Sequence, residues 1–71
     1  MYRKSSELIS IVNAGGSLIL SASRPTSELI NIVNAAKQSG NTILIKDCFK
    51  KRTSELISIA NAGEGYVTFE E

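Results

Sequence analysis

The sequence predicts an α/β fold of three tandem α-β repeats, with a three-stranded parallel sheet in the order 1-2-3 and all helices on one face. Two observations support this fold class. An eleven-residue stretch occurs three times, beginning at Ser5, Thr26 and Thr53, and offsets of about 21 and 27 residues are typical of stacked repeat units. Each copy has the apolar spacing of a helix and is followed by a short run typical of a strand.

Chain length limits the molecule to one small domain. The chain has 71 residues, so we expect a single domain over 1–71, with repeats over about 5–24, 26–51 and 53–71. A domain of this size buries only about 60% of the surface that its unfolded chain exposes. Cys48 is the only cysteine, so an intrachain disulfide cannot add stability. We therefore expect a partner subunit to supply part of the stability.

Charge and hydropathy exclude several classes of partner and location. The formal net charge of +1 is too small to indicate nucleic acid or an acidic membrane as a ligand. No apolar run approaches the roughly 18 residues needed to cross a bilayer, and the opening residues lack the apolar core of a signal peptide. We expect no membrane association and a cytoplasmic location, which agrees with a single unpaired thiol.

Each repeat opens with a predicted helix, because its leucine, isoleucine and valine residues recur at spacings of three and four. The predicted N-caps are Ser5, Thr26 and Thr53. A glutamate follows each of them by two residues, where the positive end of the helix dipole favours a carboxylate. Pro25 reinforces the second boundary. Gly15 and Gly63 are predicted to end their helices in the left-handed conformation, and the middle helix is predicted to end at Gly40.

A run of strand character follows each helix, at Leu18–Leu20, Thr42–Ile45 and Tyr66–Phe69. Strands separated by helices cannot pair as hairpins, so they are expected to be parallel. Near-identical helices should make near-identical contacts, which favours the order 1-2-3 and one short section of a solenoid. If strand 1 or 3 were central instead, helices would cover both faces, and Ile19 and Leu44 would belong to the core.

The face of the sheet that points away from the helices carries the main functional prediction. Alignment of the strands places Ile19, Leu44 and Thr68 in one row across this face. Parallel sheets are almost always covered on both sides, so a second copy of the chain or another protein should cover it. The predicted interface consists of Ile19, Thr42, Leu44, Lys46, Tyr66 and Thr68.

The repeat unit resembles a leucine-rich repeat in its internal Leu-x-x-Ile spacing and in the recurrence of Asn13, Asn34 and Asn61. It departs from that family because these asparagines lie near the helix ends, whereas the leucine-rich-repeat asparagine follows the strand. The chain is also similar to short bacterial α/β-repeat proteins of unknown function. The resemblance implies a binding or assembly surface rather than a catalysed reaction.

Two functions are therefore carried forward. The first is a structural or protein-interaction module that self-associates through the open face of its sheet. The alternative is binding of an anion or a nucleic-acid backbone by basic residues in the strand-to-helix loops, where helix N-termini offer free amides. These residues are Arg24, Lys50, Lys51 and Arg52. A solvated group of charges is the simpler interpretation, because the loops have no glycine-rich phosphate cradle.

No catalytic activity, cofactor or metal is predicted. The chain has no histidine to act as a base for Cys48, and this thiol is interpreted as buried filler or an ordinary loop residue. The glutamates are explained by their positions in the first helical turns, since nothing pairs them with a second carboxylate. No set of nucleophile, base and metal ligands is visible in the sequence.

Overall fold

The computed structural model describes residues 3–71; Met1 and Tyr2, which the single-domain prediction includes, lie outside the described residues. Helices and strands alternate along the chain. The helices are α1 (Ser5–Asn13), α2 (Thr26–Ser39) and α3 (Thr53–Gly63). The strands are β1 (Leu18–Ser21), β2 (Ile43–Lys46) and β3 (Val67–Phe69). A short 3-10 helix, Cys48–Lys50, lies between β2 and α3.

The three strands form one parallel sheet in the order β1-β2-β3, which confirms the predicted fold class and strand order. Leu18, Ile43 and Val67 are register partners across the sheet, as the sequence alignment predicted. In the helix layer, α2 lies between α1 and α3 and packs against both. The arrangement with β1 or β3 in the centre is therefore excluded.

The hydrophobic core lies between the helix layer and the sheet. From the helices it takes the side chains of Leu8, Leu29 and Ile59, all at 0% exposure, and from the central strand those of Ile43 and Ile45. No polar or charged residue is buried within the part of the chain that the structure describes. Packing of apolar side chains between two layers thus accounts for the fold.

The helices begin differently from the prediction. Their N-cap residues are Lys4, Pro25 and Arg52, one residue earlier than predicted, and none makes a side-chain capping bond. Instead, the Arg52 amide donates to Glu55 Oε1 at 3.2 Å, and the Lys4 amide donates in the same way to a glutamate three residues later. Because the glutamate supplies the capping oxygen, the serine or threonine takes the first helical position. At α2 the cap residue is proline, which has no amide hydrogen to satisfy.

The ends of the helices fit the prediction in two of three cases. Gly15 and Gly40 have positive φ angles of 104° and 75°. The prediction for Gly63 is wrong, since it is the last residue of α3 and the left-handed residue is Glu64, with φ of 45°. A Cβ atom on Gly63 would lie 2.9 Å from Val67 Cγ1. Glycine is therefore needed at this position for close packing and not for its freedom in φ.

Candidate functional site

The open face of the sheet has the apolar row that the sequence predicted. Ile19, Leu44 and Thr68 are register partners in β1, β2 and β3. Ile19 is 61% exposed, Leu44 is half-buried and Thr68 is exposed. Their strand neighbours Leu18, Leu20, Ile43 and Ile45 are buried on the opposite, helix-covered side. The alternation along each strand therefore puts two large apolar side chains on the face that no helix covers.

The remaining predicted interface residues lie around this row. Thr42 and Tyr66 directly precede β2 and β3, and Lys46 is the last residue of β2; all three are exposed. Successive side chains of a strand alternate between its faces, so Thr42 and Lys46 share the side of Leu44. We call the surface formed by Ile19, Thr42, Leu44, Lys46, Tyr66 and Thr68 the open sheet face. Sequence reasoning missed Ser21, which the register places beside Lys46.

The open sheet face combines apolar and polar side chains. Its centre is aliphatic, and its margin carries hydroxyl groups and one ammonium group. An apolar centre with a polar margin is the usual composition of a protein interface. The ammonium group belongs to Lys46, which is exposed at the end of β2. The arrangement can bury apolar surface against a complementary surface while the margin stays in water.

The predicted basic residues lie in the segments that precede α2 and α3. The Arg24 guanidinium donates to the Arg3 carbonyl at 2.8 Å and lies 3.5 Å from Glu28 Oε1. Lys50 and Arg52 are exposed, and Lys51 is half-buried. Arg24 thus contacts both the segment before α1 and the first turn of its own helix.

The start of α3 already holds a carboxylate of the chain itself. Glu55 accepts hydrogen bonds from the Arg52 amide at 3.2 Å and from the Thr26 hydroxyl at 3.0 Å. The amide bond, then the hydroxyl bond, and then the positive charges of Lys51 and Arg52 lower the pKa of Glu55 below its ordinary value of 4.5. This carboxylate takes up the amide of Arg52, the N-cap residue of α3. Anion binding therefore stays a prediction, and the geometry adds nothing in its favour.

A hydrogen-bonded group at the carboxyl end of the sheet was not predicted. The Ser21 hydroxyl donates to Asp47 Oδ2 at 3.3 Å and accepts from the Ser23 amide at 3.2 Å. Asp47 has a φ of 60°, a conformation that aspartate tolerates better than most residues. The bonds join the loops that follow β1 and β2. An aspartate directly after a strand was the signal in the sequence, but its partner is 26 residues away.

Cys48 is buried, as the sequence interpretation allowed, and its thiol donates to the Ile45 carbonyl at 3.2 Å. The next residue, Phe49, is exposed, but one exposed aromatic side chain indicates no site by itself. Across residues 3–71 there is no group of three or more His, Cys, Asp or Glu side chains that could hold a metal ion. None of the helices in that range is long and apolar enough to cross a membrane.

No protein-family model, curated protein or solved structure matches this chain.

Proposed function

We propose that the protein is a structural or protein-interaction module that self-associates as a homodimer through the open sheet face. The observation that carries this proposal is the apolar row on a parallel sheet with helices on one side, in which Ile19 is 61% exposed. Full burial of such a side chain is worth about 1.5–3 kcal/mol relative to exposure. A second layer on the free side is also the usual state of parallel sheets.

A two-fold arrangement of two copies satisfies the chemistry of this face. Two sheets pack about 10 Å apart with their strands within about 30° of alignment. A two-fold axis perpendicular to the strands would bring the Leu44 side chains together at the centre. It would also place each Lys46 near the opposite end of the facing strand, so that the two ammonium groups stay apart. The rim hydroxyls of Thr42 and Thr68 would then border the contact.

The proposal includes no catalytic activity and places the module in the cytoplasm. Cys48 supports this setting, because its thiol is buried and free, and free thiols persist in reducing compartments. The Cys48 thiol bonds to a backbone carbonyl, an arrangement that serves packing rather than nucleophilic attack.

A matched pair of substitutions tests the proposal. Ile19→Lys places a charge on the open sheet face, and Ile57→Lys places the same charge on α3 at a residue of similar exposure, 61% against 55%. Association is measured by sedimentation equilibrium from about 10 µM to 1 mM, with circular dichroism to confirm folding. We expect Ile19→Lys to weaken the face dimer at least about tenfold. Leu44→Lys should act in the same direction.

Ile57→Lys should retain pairwise association through the open sheet face, because its side chain lies in the helix layer. A dimer of unchanged strength in the Ile19→Lys chain would refute the assignment of the face. A wild-type chain that stays monomeric over the whole concentration range would refute self-association itself.

A further inference from the structure

Equivalent helix positions in the three repeats differ in their exposure to solvent. Ile9, Ile30 and Ile57 occupy the same place in α1, α2 and α3. Ile9 and Ile30 are half-buried and pack against the core, whereas Ile57 is 55% exposed. The side chain is the same in all three repeats, so the difference comes from the neighbours. The helices α1 and α2 have a following helix on this side, and α3 does not.

The next turn shows the same difference. Val12 and Val33 have 0% exposure, and the equivalent Ala60 is half-buried. Val33 faces α3, since its Cβ lies 3.4 Å from the position of a Cβ on Gly63. This side of each helix therefore faces the following repeat, and on α3 it is left open.

The opposite side of each helix faces the preceding repeat. Ile32 and Ile59 have 0% exposure, and Ala35 has 8%. Their equivalents in the first repeat are open, because Ile11 is half-buried and Ala14 is exposed. The outer side of α1 has no neighbouring helix. It carries the repeat equivalents of the residues that α2 and α3 pack against the preceding helix.

The strands repeat the asymmetry. Leu18 and Leu20 are buried although β1 is an edge strand, with exposures of 6% and 1%. Val67 and Phe69, on the helix side of the other edge strand, are only half-buried. A further helix beyond α3 would cover them. The α1 helix of another copy could fill this place beyond α3, because its Ile11 and Ala14 are the repeat equivalents of residues that α2 packs against α1.

A polar contact between α2 and α3 has equivalent residues at both ends of the molecule. The Thr26 hydroxyl donates to Glu55 Oε2 at 3.0 Å across the two helices. Thr53 is the repeat equivalent of Thr26, and Glu7 is the equivalent of Glu55; both are exposed. The donor lies at one end of the molecule and the acceptor at the other.

The backbone at the two sheet edges also matches. The Ile43 amide donates to the Tyr66 carbonyl at 3.0 Å and the Glu70 amide to the Ile45 carbonyl at 2.8 Å. In a parallel ladder, alternate residues bond to alternate sides, so the amides and carbonyls of Val67 and Phe69 point outward from β3. The Ala22 amide donates to the Lys46 carbonyl, and by the same alternation the Ile19 amide and carbonyl and the Ser21 amide point outward from β1. The Ser21 carbonyl already accepts from the Arg24 amide at 3.4 Å.

We propose that the α3/β3 edge of one copy binds the α1/β1 edge of a second copy, continuing both the sheet and the helix layer. The α3/β3 edge consists of Ile57, Ala60, Val67 and Phe69; the α1/β1 edge consists of Ile11, Ala14 and the free side of β1. Val67 then takes Leu18 of the added copy as its register partner, as Ile43 does within the chain. The contact continues the existing α1–α2 and α2–α3 interfaces.

This contact joins two different surfaces, so it does not close on itself in a dimer and growth is open-ended. It also supplies partners for the exposed edges of β1 and β3, which otherwise offer a row of unpaired backbone groups. The contact uses no side chain of the open sheet face, so it can form with or without the proposed homodimer.

Two charged variants and two controls test the proposal on the full chain. Ile57→Lys blocks the α3/β3 edge, and Ala14→Lys blocks the α1/β1 edge at an exposed residue, so neither should unfold the chain. Ser58→Lys and Ser6→Lys place the same charge at exposed positions of α3 and α1 that lie outside these two edges. Sedimentation equilibrium is measured up to about 1 mM protein.

We expect the average mass of the wild-type chain to rise with concentration without a plateau, and both serine variants to behave in the same way. The Ile57→Lys and Ala14→Lys chains should each stop at a finite mass, with edge affinity reduced at least about tenfold. An equimolar mixture of these two variants retains one intact edge of each kind and should exceed the mass of either variant alone.

A mixture no heavier than its separate components would overturn the proposal. So would edge variants that associate like the wild type, or a wild-type mass that reaches a dimer plateau. If the wild-type mass reaches a dimer plateau that only Ile19→Lys abolishes, edge binding is refuted and the sheet-face dimer is supported. The two proposals can therefore fail separately.

Discussion

Alanine substitution of Leu8, Leu29 and Leu56 removes the same side chain from the same repeat position in three different surroundings. Leu8 and Leu29 have 0% exposure, while Leu56 is half-buried beside the open edge of α3. Replacing a fully buried leucine by alanine costs about 3–5 kcal/mol, because both transfer energy and a cavity contribute. Leu56 already leaves part of its surface in water and any cavity opens to solvent, so its loss should cost about 1–2 kcal/mol.

Urea unfolding followed by circular dichroism measures these costs, at a protein concentration of about 10 µM or below so that association does not contribute. A domain of this size has a total stability of roughly 4–10 kcal/mol and a urea slope near 1 kcal/mol per molar. The midpoint of Leu56→Ala should therefore exceed that of Leu29→Ala by at least about 1 M. Equal midpoints for the two variants would show that α3 is covered on its outer side, and the argument from repeat positions would fail.

Two further predictions concern packing and pH. Glycine-to-alanine changes in helices normally stabilise, but Gly63→Ala should destabilise the chain by about 1–2 kcal/mol, because the new Cβ would lie 2.9 Å from Val67 Cγ1. Thermal unfolding measures this loss of stability. Adding Val67→Ala should recover part of the loss. The lowered pKa of Glu55 means that its charged form contributes stability above about pH 4.5, which is lost as the pH falls through the folded-state pKa. The Glu55→Gln chain should therefore lose less stability than the wild type below pH 4.5 in acid titrations of the unfolding midpoint, and identical acid profiles would contradict the hydrogen bonds assigned to this carboxylate.

The sequence predicted the layered fold because its repeat fixes which elements are equivalent. Once the three copies are aligned, Leu18, Ile43 and Val67 must take equivalent places, and the order 1-2-3 follows from equal helix contacts. The role of Gly63 could not be predicted in this way. Its glycine resembles a helix-ending residue in sequence, and only the approach of Val67 shows that the missing side chain matters.

The candidate surfaces were predictable to different degrees. Alternation along a strand was enough to place Ile19 and Leu44 on the face opposite the helices. The edge surface was not predicted, because the repeats have nearly the same residues and a residue type does not report its own neighbours. Ile57 and Ile30 are the same residue in the same repeat position, yet they differ in exposure because only one has a following helix.

The two proposed contacts also depend on each other through area. Three strands about 4.8 Å apart and at most four residues long give an open sheet face of roughly 14 Å by 13 Å, or about 200 Å². This area is small beside the roughly 800 Å² per partner of a standard interface. Two single copies can therefore form only a weak face-to-face dimer. Each copy added at the α3/β3 edge would bring another three strands, so the face would widen while its chemistry stayed the same. Association through the open sheet face should consequently strengthen as copies add at the edges. Copies that are already joined by some contacts hold the remaining face contacts at a high effective concentration.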